Sequence, residues 1–219
     1  VPAAVRSQPP LGVARSGAGA AARRSGVSAR HFAQSYTEAR EKFFAAASAG
    51  GLALERHVHP QARGADGEEL SLDCARLGPV QSERLVLLTS GTHGVEGFCG
   101  SGVQAALLHD AGYLARARAS GATVLLVHAV NPYGFSHWGR ANEDNIDLNR
   151  NFVDHSRPQP ANPAYAELHP LLATAQWPPR PESEAGIART IAERGQLAFQ
   201  AAVSGGQYEF PDGLFFGGS

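Results

Sequence analysis

The sequence predicts an α/β domain built on a mixed, mainly parallel sheet with flanking helices. Three observations carry that prediction. Hydrophobic residues make up 43% of the 219-residue chain and charged residues 18%, the balance of a chain with a sizeable core. Two short, nearly continuous apolar runs, 84–89 (RLVLLT) and 123–130 (TVLLVHAV), have the character of strands covered on both faces. A helical stretch separates them, and strand, helix, strand in that order is a βαβ unit, whose crossover makes the two strands parallel.

Residues 1–27 stand apart from this pattern. They hold Arg6, Arg15, Arg23 and Arg24, no acidic residue and no hydrophobic period. Arg-rich, acid-poor composition also suits an organellar transit peptide. The expectation is a disordered extension or a mis-called start, with Val27 as the true first residue. Residues 28–219 are then the folded part. Ser28 is placed to cap the first helix, in which Phe32, Tyr36, Ala39, Phe43 and Ala47 recur at helical spacing until Gly50-Gly51 ends it. The stretches 52–59 and 69–77 are extended, and Leu70, Leu72 and Cys74 alternate with Ser71, Asp73 and Ala75. With a Gly-containing loop between them they read as an antiparallel pair.

The crossover helix is expected over Gly102–Ala119, with Val103, Leu107 and Leu114 inward. Beyond Phe152 a Pro-rich passage leads to helices near 163–169 and 182–203. The apolar residues Leu214, Phe215 and Phe216 are expected to lie uncovered. Together with the lack of any methionine, this leads to the expectation that the sequence is a fragment.

Several function classes fall away. Nineteen basic and twenty acidic residues give a formal net charge of −1, which offers no electrostatic case for nucleic acid or an anionic membrane. The two cysteines, Cys74 and Cys99, cannot form a disulfide framework, and Cys99 is expected to be buried and inert. No run of eighteen apolar residues exists, and no secretory signal is legible, so the expected location is cytoplasmic. The serine-hydrolase elbow, the P-loop and the dinucleotide fingerprint are absent.

In open parallel sheets the chemistry gathers in loops at the carboxyl ends of strands. SGTHGVEG, residues 90–97, directly follows the first buried strand. His93 and Glu96 are three residues apart in a turn that Gly91, Gly94 and Gly97 allow to be tight. An imidazole and a carboxylate so placed can share one cation, and zinc takes N and O ligands. A solvent-facing Gly-rich turn would have the same sequence. The second candidate, residues 131–152 (NPYGFSHWGRANEDNIDLNRNF), follows the second buried strand. Its Arg140 and Arg150 suit a carboxylate or phosphate, since each guanidinium grips two oxygens. Asp147 could orient a metal-bound imidazole, and a polar loop with surface arginines would also account for the pattern. Of the other histidines, His57, His59 and His109 read as surface residues. His128, inside a buried strand, reads as a hydrogen-bonded core residue.

In this order, each after a parallel strand, SGTHGVEG and NPYGF…DLNRNF resemble the motifs of the zinc carboxypeptidase superfamily, and of a bacterial branch of it. The resemblance extends from about Val27 onward. It implies one zinc held partly by His93 and Glu96, with Asp147 on the far nitrogen of the imidazole. It implies that Asn149 and Arg150 bind the terminal carboxylate of a small peptide, and that Arg140 polarises the scissile carbonyl. The implied reaction is hydrolysis of an amide bond next to a free carboxylate. An N-acyl amino acid deacylase would need the same clamp, and a non-catalytic binding module on this scaffold is the alternative from another class. The family's third zinc ligand, a histidine after a later strand, and its water-activating glutamate have no match here. His155 and His169 fall in or beside Pro-rich loop and helix. Because a catalytic zinc needs three protein ligands and a water, the chain by itself is expected to be inactive.

Overall fold

The computed structural model describes residues 29–176 and 178–218. The expectations for residues 1–27, and for a cap at Ser28, fall outside them. Helix α1 (Tyr36–Ala49) opens the fold. Ser35 caps it by accepting a hydrogen bond from the Glu38 N–H at 3.2 Å, and Gly51 at φ +67° turns the chain out of it. Strands β1 (Ala53–Arg63) and β2 (Glu69–Leu77) pair antiparallel, with a register irregularity between Val58 and Arg63. β3 (Leu85–Thr89) leads to helix α2 (Gly94–His109), then α3 (Ala111–Ala119) and β4 (Thr123–His128).

The sheet order is β1-β2-β4-β3. β3 and β4 run parallel, as the βαβ reading requires, while β2 pairs antiparallel with both β1 and β4. The class is the mixed α/β one that the sequence predicts, but the described sheet is not mainly parallel, since one of its three pairings is parallel and two are antiparallel. Helices α1 to α3 cover one face of the sheet, where Phe43, Ala46, Ala47, Leu108 and Leu114 meet Ala75, Leu77, Val124 and Leu126.

Four sequence expectations need correcting here. The crossover is two helices, broken at Asp110, whose carboxylate accepts from the Tyr113 N–H and caps the second helix. Because the first of them begins at Gly94, its inward face is Gly97, Ser101, Gln104, Ala105 and Leu108, while Val103 is exposed. β3 is not covered on both faces: Leu85, Val86 and Leu87 are 60%, 45% and 54% exposed, since only β4 adjoins the strand among the described residues. Cys99 is exposed rather than buried, because the helix turns that position away from the sheet.

The loop after β4 forms a short helix α4 (Pro132–Ser136). Three helices follow and pack on one another: α5 (Pro163–Leu172), α6 (Pro181–Arg194) and α7 (Gln196–Ser204). Gly195, at φ +86°, divides what the sequence suggested as one helix. Residues 207–217 then fold back onto the loop that carries Asp147. The expectation of an uncovered apolar run is corrected: Phe216 is buried and Phe215 half-buried, and only Leu214 is largely exposed. Among the described residues no helix is long and apolar enough to cross a membrane.

Candidate functional site

The parallel pairing of β3 and β4 continues past both strands. Ser90 N–H donates to Val127 O at 3.0 Å, Val130 N–H to Ser90 O at 3.0 Å, and Asn131 N–H to Gly91 O at 2.8 Å. The two motif loops therefore leave the sheet side by side. Gly94 lies so close to the second loop that its N–H donates to Gly139 O at 2.8 Å. A Cβ there would strike the carbonyl oxygens of Gly134 and Gly139.

His93 sits at the N-cap position of α2 with extended backbone, and Glu96 lies in that helix's first turn. His93 Nδ1 is 2.6 Å from Glu96 Oε2, and His93 Nε2 is 3.0 Å from Asp147 Oδ1. Asp147 is 1% exposed. Arg140 Nε donates to its Oδ2 at 2.9 Å and the Asn149 N–H to its Oδ1 at 3.0 Å. Burial pushes the Asp147 carboxyl up, but the His93 and Arg140 bonds outweigh it and hold the pKa below the ordinary value.

An ionised carboxylate only accepts, so Nε2 carries the proton that faces Asp147. Nδ1 lies 2.6 Å from the oxygen of Glu96, a distance that requires a proton or a cation between the two. The donor set, one imidazole nitrogen and one carboxylate with an oriented second nitrogen, fits part of a zinc site. Among the described residues no group of three or more His, Cys, Asp or Glu side chains could hold a metal. His155 faces the Asn151 carbonyl, and His169 stacks on Phe210 with Nε2 3.3 Å from Asp212.

The two arginines differ in what they have left to offer. Arg140 bonds the protein through Nε, so its two terminal nitrogens are free among the described residues. Arg150 donates from Nη2 to Ser204 O at 2.8 Å and from Nη1 to Asn149 O at 3.2 Å. A cavity of about 380 Å³ opens beside Asp147, lined by Tyr133, Arg140, Glu143, Asn145 and Phe215 among others. Asn149 is exposed, and neither it nor Arg150 lines that cavity.

Sequence reasoning missed the contribution of backbone strain. Among the described residues four non-glycine positions have left-handed φ: Ala129, Trp138, Asn145 and Phe215. Ala129 follows β4, Trp138 and Asn145 flank Arg140 and precede Asp147, and Phe215 faces both arginines. Such conformations cost about 1–3 kcal/mol each and gather where a site needs them. Only Asn145 carries a residue type that advertises such a backbone.

The family model described as "Protein of unknown function (DUF2817)" matches residues 32–219. No curated protein matches the chain. Matching solved structures include an aspartoacylase family protein from Mesorhizobium loti, 28% identical over 49% of this chain and 32% of that one, with a TM-score of 0.36. Another is the glutaminyl cyclase of Porphyromonas gingivalis, 19% identical over 48% of each chain, with a TM-score of 0.29. The chain thus spans about a third of the first and about half of the second.

Proposed function

The chain belongs to the DUF2817 family, and on that premise we propose that it carries part of the active site of a zinc-dependent, carboxypeptidase-like hydrolase that cleaves an amide bond next to a free carboxylate. What supports this reading above all is the His93–Glu96 pair, an imidazole nitrogen and a carboxylate oxygen 2.6 Å apart, with the other nitrogen held by a buried aspartate. His93 and Glu96 would hold the ion. When bound, zinc supplies Lewis acidity toward the carbonyl and acidifies water.

Asp147 fixes the tautomer of His93 and keeps its ring in line with Glu96. Arg140, anchored at Nε, turns its free nitrogens to the carbonyl oxygen and to the charge that gathers there. Arg150 and Asn149 take the substrate carboxylate, a charge-assisted contact of about 1.5–3 kcal/mol. Arg150 does so by exchanging the Ser204 carbonyl for a substrate oxygen. A peptide and an N-acyl amino acid both present the required amide and carboxylate.

Zinc titration followed by calorimetry tests the metal assignment without relying on turnover. One site per chain is expected, weak because two protein ligands are in place, and absent in His93→Ala. Undiminished binding in His93→Ala would overturn the reading. In the whole protein, Arg150→Ala should raise KM about 10- to 100-fold with little change in kcat, as expected for the loss of a carboxylate contact.

A further inference from the structure

Phe215 joins the two guanidiniums of the candidate site. Its ring centroid lies 4.9 Å from Arg140 Cζ and 5.7 Å from Arg150 Cζ. It reaches both from a backbone at φ +53°, which a residue with a β-carbon adopts only under constraint, although glycines stand nearby at 213, 217 and 218.

The constraint is visible on either side of the residue. Leu214 N–H donates to Tyr165 Oη at 2.6 Å and Gln207 N–H to Phe215 O at 3.2 Å. Phe216 O accepts from the Asp147 N–H at 2.8 Å, and Tyr208 Oη donates to Arg150 O at 2.7 Å. The segment is thus tied to the backbone of both Asp147 and Arg150. Phe216 turns into the core while Phe215 turns to the cavity that Arg140 also lines.

An aromatic face holds a guanidinium through its quadrupole and by stacking, without using any of its N–H donors. Orientation by Phe215 therefore leaves the terminal nitrogens of Arg140 unspent. For Arg150, which must release Ser204 O to reach a ligand, the ring is a contact that persists. We propose that Phe215 is a positioning residue for a carboxylate-bearing substrate: one ring sets the planes of Arg140, which lines the cavity, and of Arg150 beside it. The proposal rests on the hydrolase reading for its substrate class, and its geometry stands independently of zinc.

The test uses the 219-residue chain and N-acetylglycine, a minimal amide with a free carboxylate. Nitrogen-proton NMR of the arginine Nε groups should show ring-current shifts for Arg140 and Arg150, lost in Phe215→Leu and kept in Phe215→Tyr. Phe215→Leu should bind N-acetylglycine about tenfold more weakly, the order of two cation–π contacts, and Phe215→Tyr within about twofold of the unmodified chain. Zinc affinity should be the same in all three. Equal affinity in Phe215→Leu, or equal loss in Phe215→Tyr, overturns the positioning role and leaves the hydrolase reading intact. An unmodified chain without the ring-current shifts overturns it even if Phe215→Leu fails to fold. An unmodified chain that binds no N-acetylglycine overturns the carboxylate clamp and this proposal together.

Discussion

Asp147 and His128 show how differently one fold treats two buried ionisable side chains. Asp147 is satisfied by three donors. Asp147→Asn keeps its size but presents an amide where an acceptor-only group selected the tautomer. Zinc affinity measured against a competing chelator should fall about 10- to 100-fold. The His128 ring has one hydrogen bond, to Ser101 Oγ at 2.8 Å, stacks on Phe43 at 4.7 Å and leaves Nδ1 without a partner. Burial, with a smaller contribution from Arg40, pushes its pKa down to about 4, against a partial opposing pull from Asp73. The unfolded chain, titrating near 6.5, binds the proton more readily than the folded one, so protonation favours unfolding. The stability from a neutral His128 is complete above pH 6.5 and is lost between 6.5 and about 4, up to about 3 kcal/mol. Denaturant unfolding at pH 7, 5 and 4 should show that loss, and His128→Gln should remove most of it. Asp147, held below its ordinary value, contributes stability that is present above pH 3.8 and lost only at still lower pH. The two windows can therefore be told apart.

Between elements, glycines decide how closely the two motif loops approach. Gly94 opens α2 under two carbonyl oxygens of the Asn131–Arg140 loop. These are backbone atoms and cannot swing aside, so Gly94→Ala should cost at least the 1–3 kcal/mol of an overpacked core and weaken zinc binding in parallel. Gly112, inside α3, is the contrast. A Cβ there meets Arg116 Nη1 at 3.2 Å and, at 3.1 Å, the Asp110 oxygen that caps this helix. Gly112→Ala should leave the thermal midpoint nearly unchanged, because a helix-propensity gain of up to about 1 kcal/mol is offset by displacement of a cap of similar worth. The same contrast explains what was legible in the sequence. The apolar runs at 85–89 and 123–128, and the alternation at 70–75, are local patterns, and they located the strands and the parallel pair. That His93, Glu96 and Asp147 lie together was legible because their loops leave adjacent strand ends. The break at Asp110 was hidden because the helical period continues across it. Phe215 was hidden because its partners lie 65 and 75 residues away, at Arg150 and Arg140, and nothing in GLFFGG records that separation.

At the scale of the whole molecule, the two edges of the sheet differ among the described residues. Edge strand β1 carries Glu55, Arg56 and Arg63, and the Arg56 side chain is half exposed. Such residues blunt an edge. The β3 end has no such protection, since Leu85, Val86 and Leu87 succeed one another with no charge among them and stand largely exposed. The strand also pairs only through β4, so one row of its amides and carbonyls has no ladder partner among the described residues. Unpaired backbone and apolar side chains together are what another strand binds, because pairing satisfies the first and burial removes the second from water. The 219-residue chain should therefore self-associate through β3. Sedimentation velocity should show average mass rising with protein concentration, and the rise should persist in high salt, because apolar contact is not screened. Leu87 lies opposite Leu125 in the parallel register, at the middle of the exposed run. Leu87→Lys puts a charge there without disturbing the β3–β4 ladder, so it should leave the thermal midpoint within about 2 °C, as exposed substitutions usually do, while abolishing the association. Association undiminished in Leu87→Lys would place the contact elsewhere, and the exposed apolar surfaces at Leu197 and Phe152 would then be the ones to change.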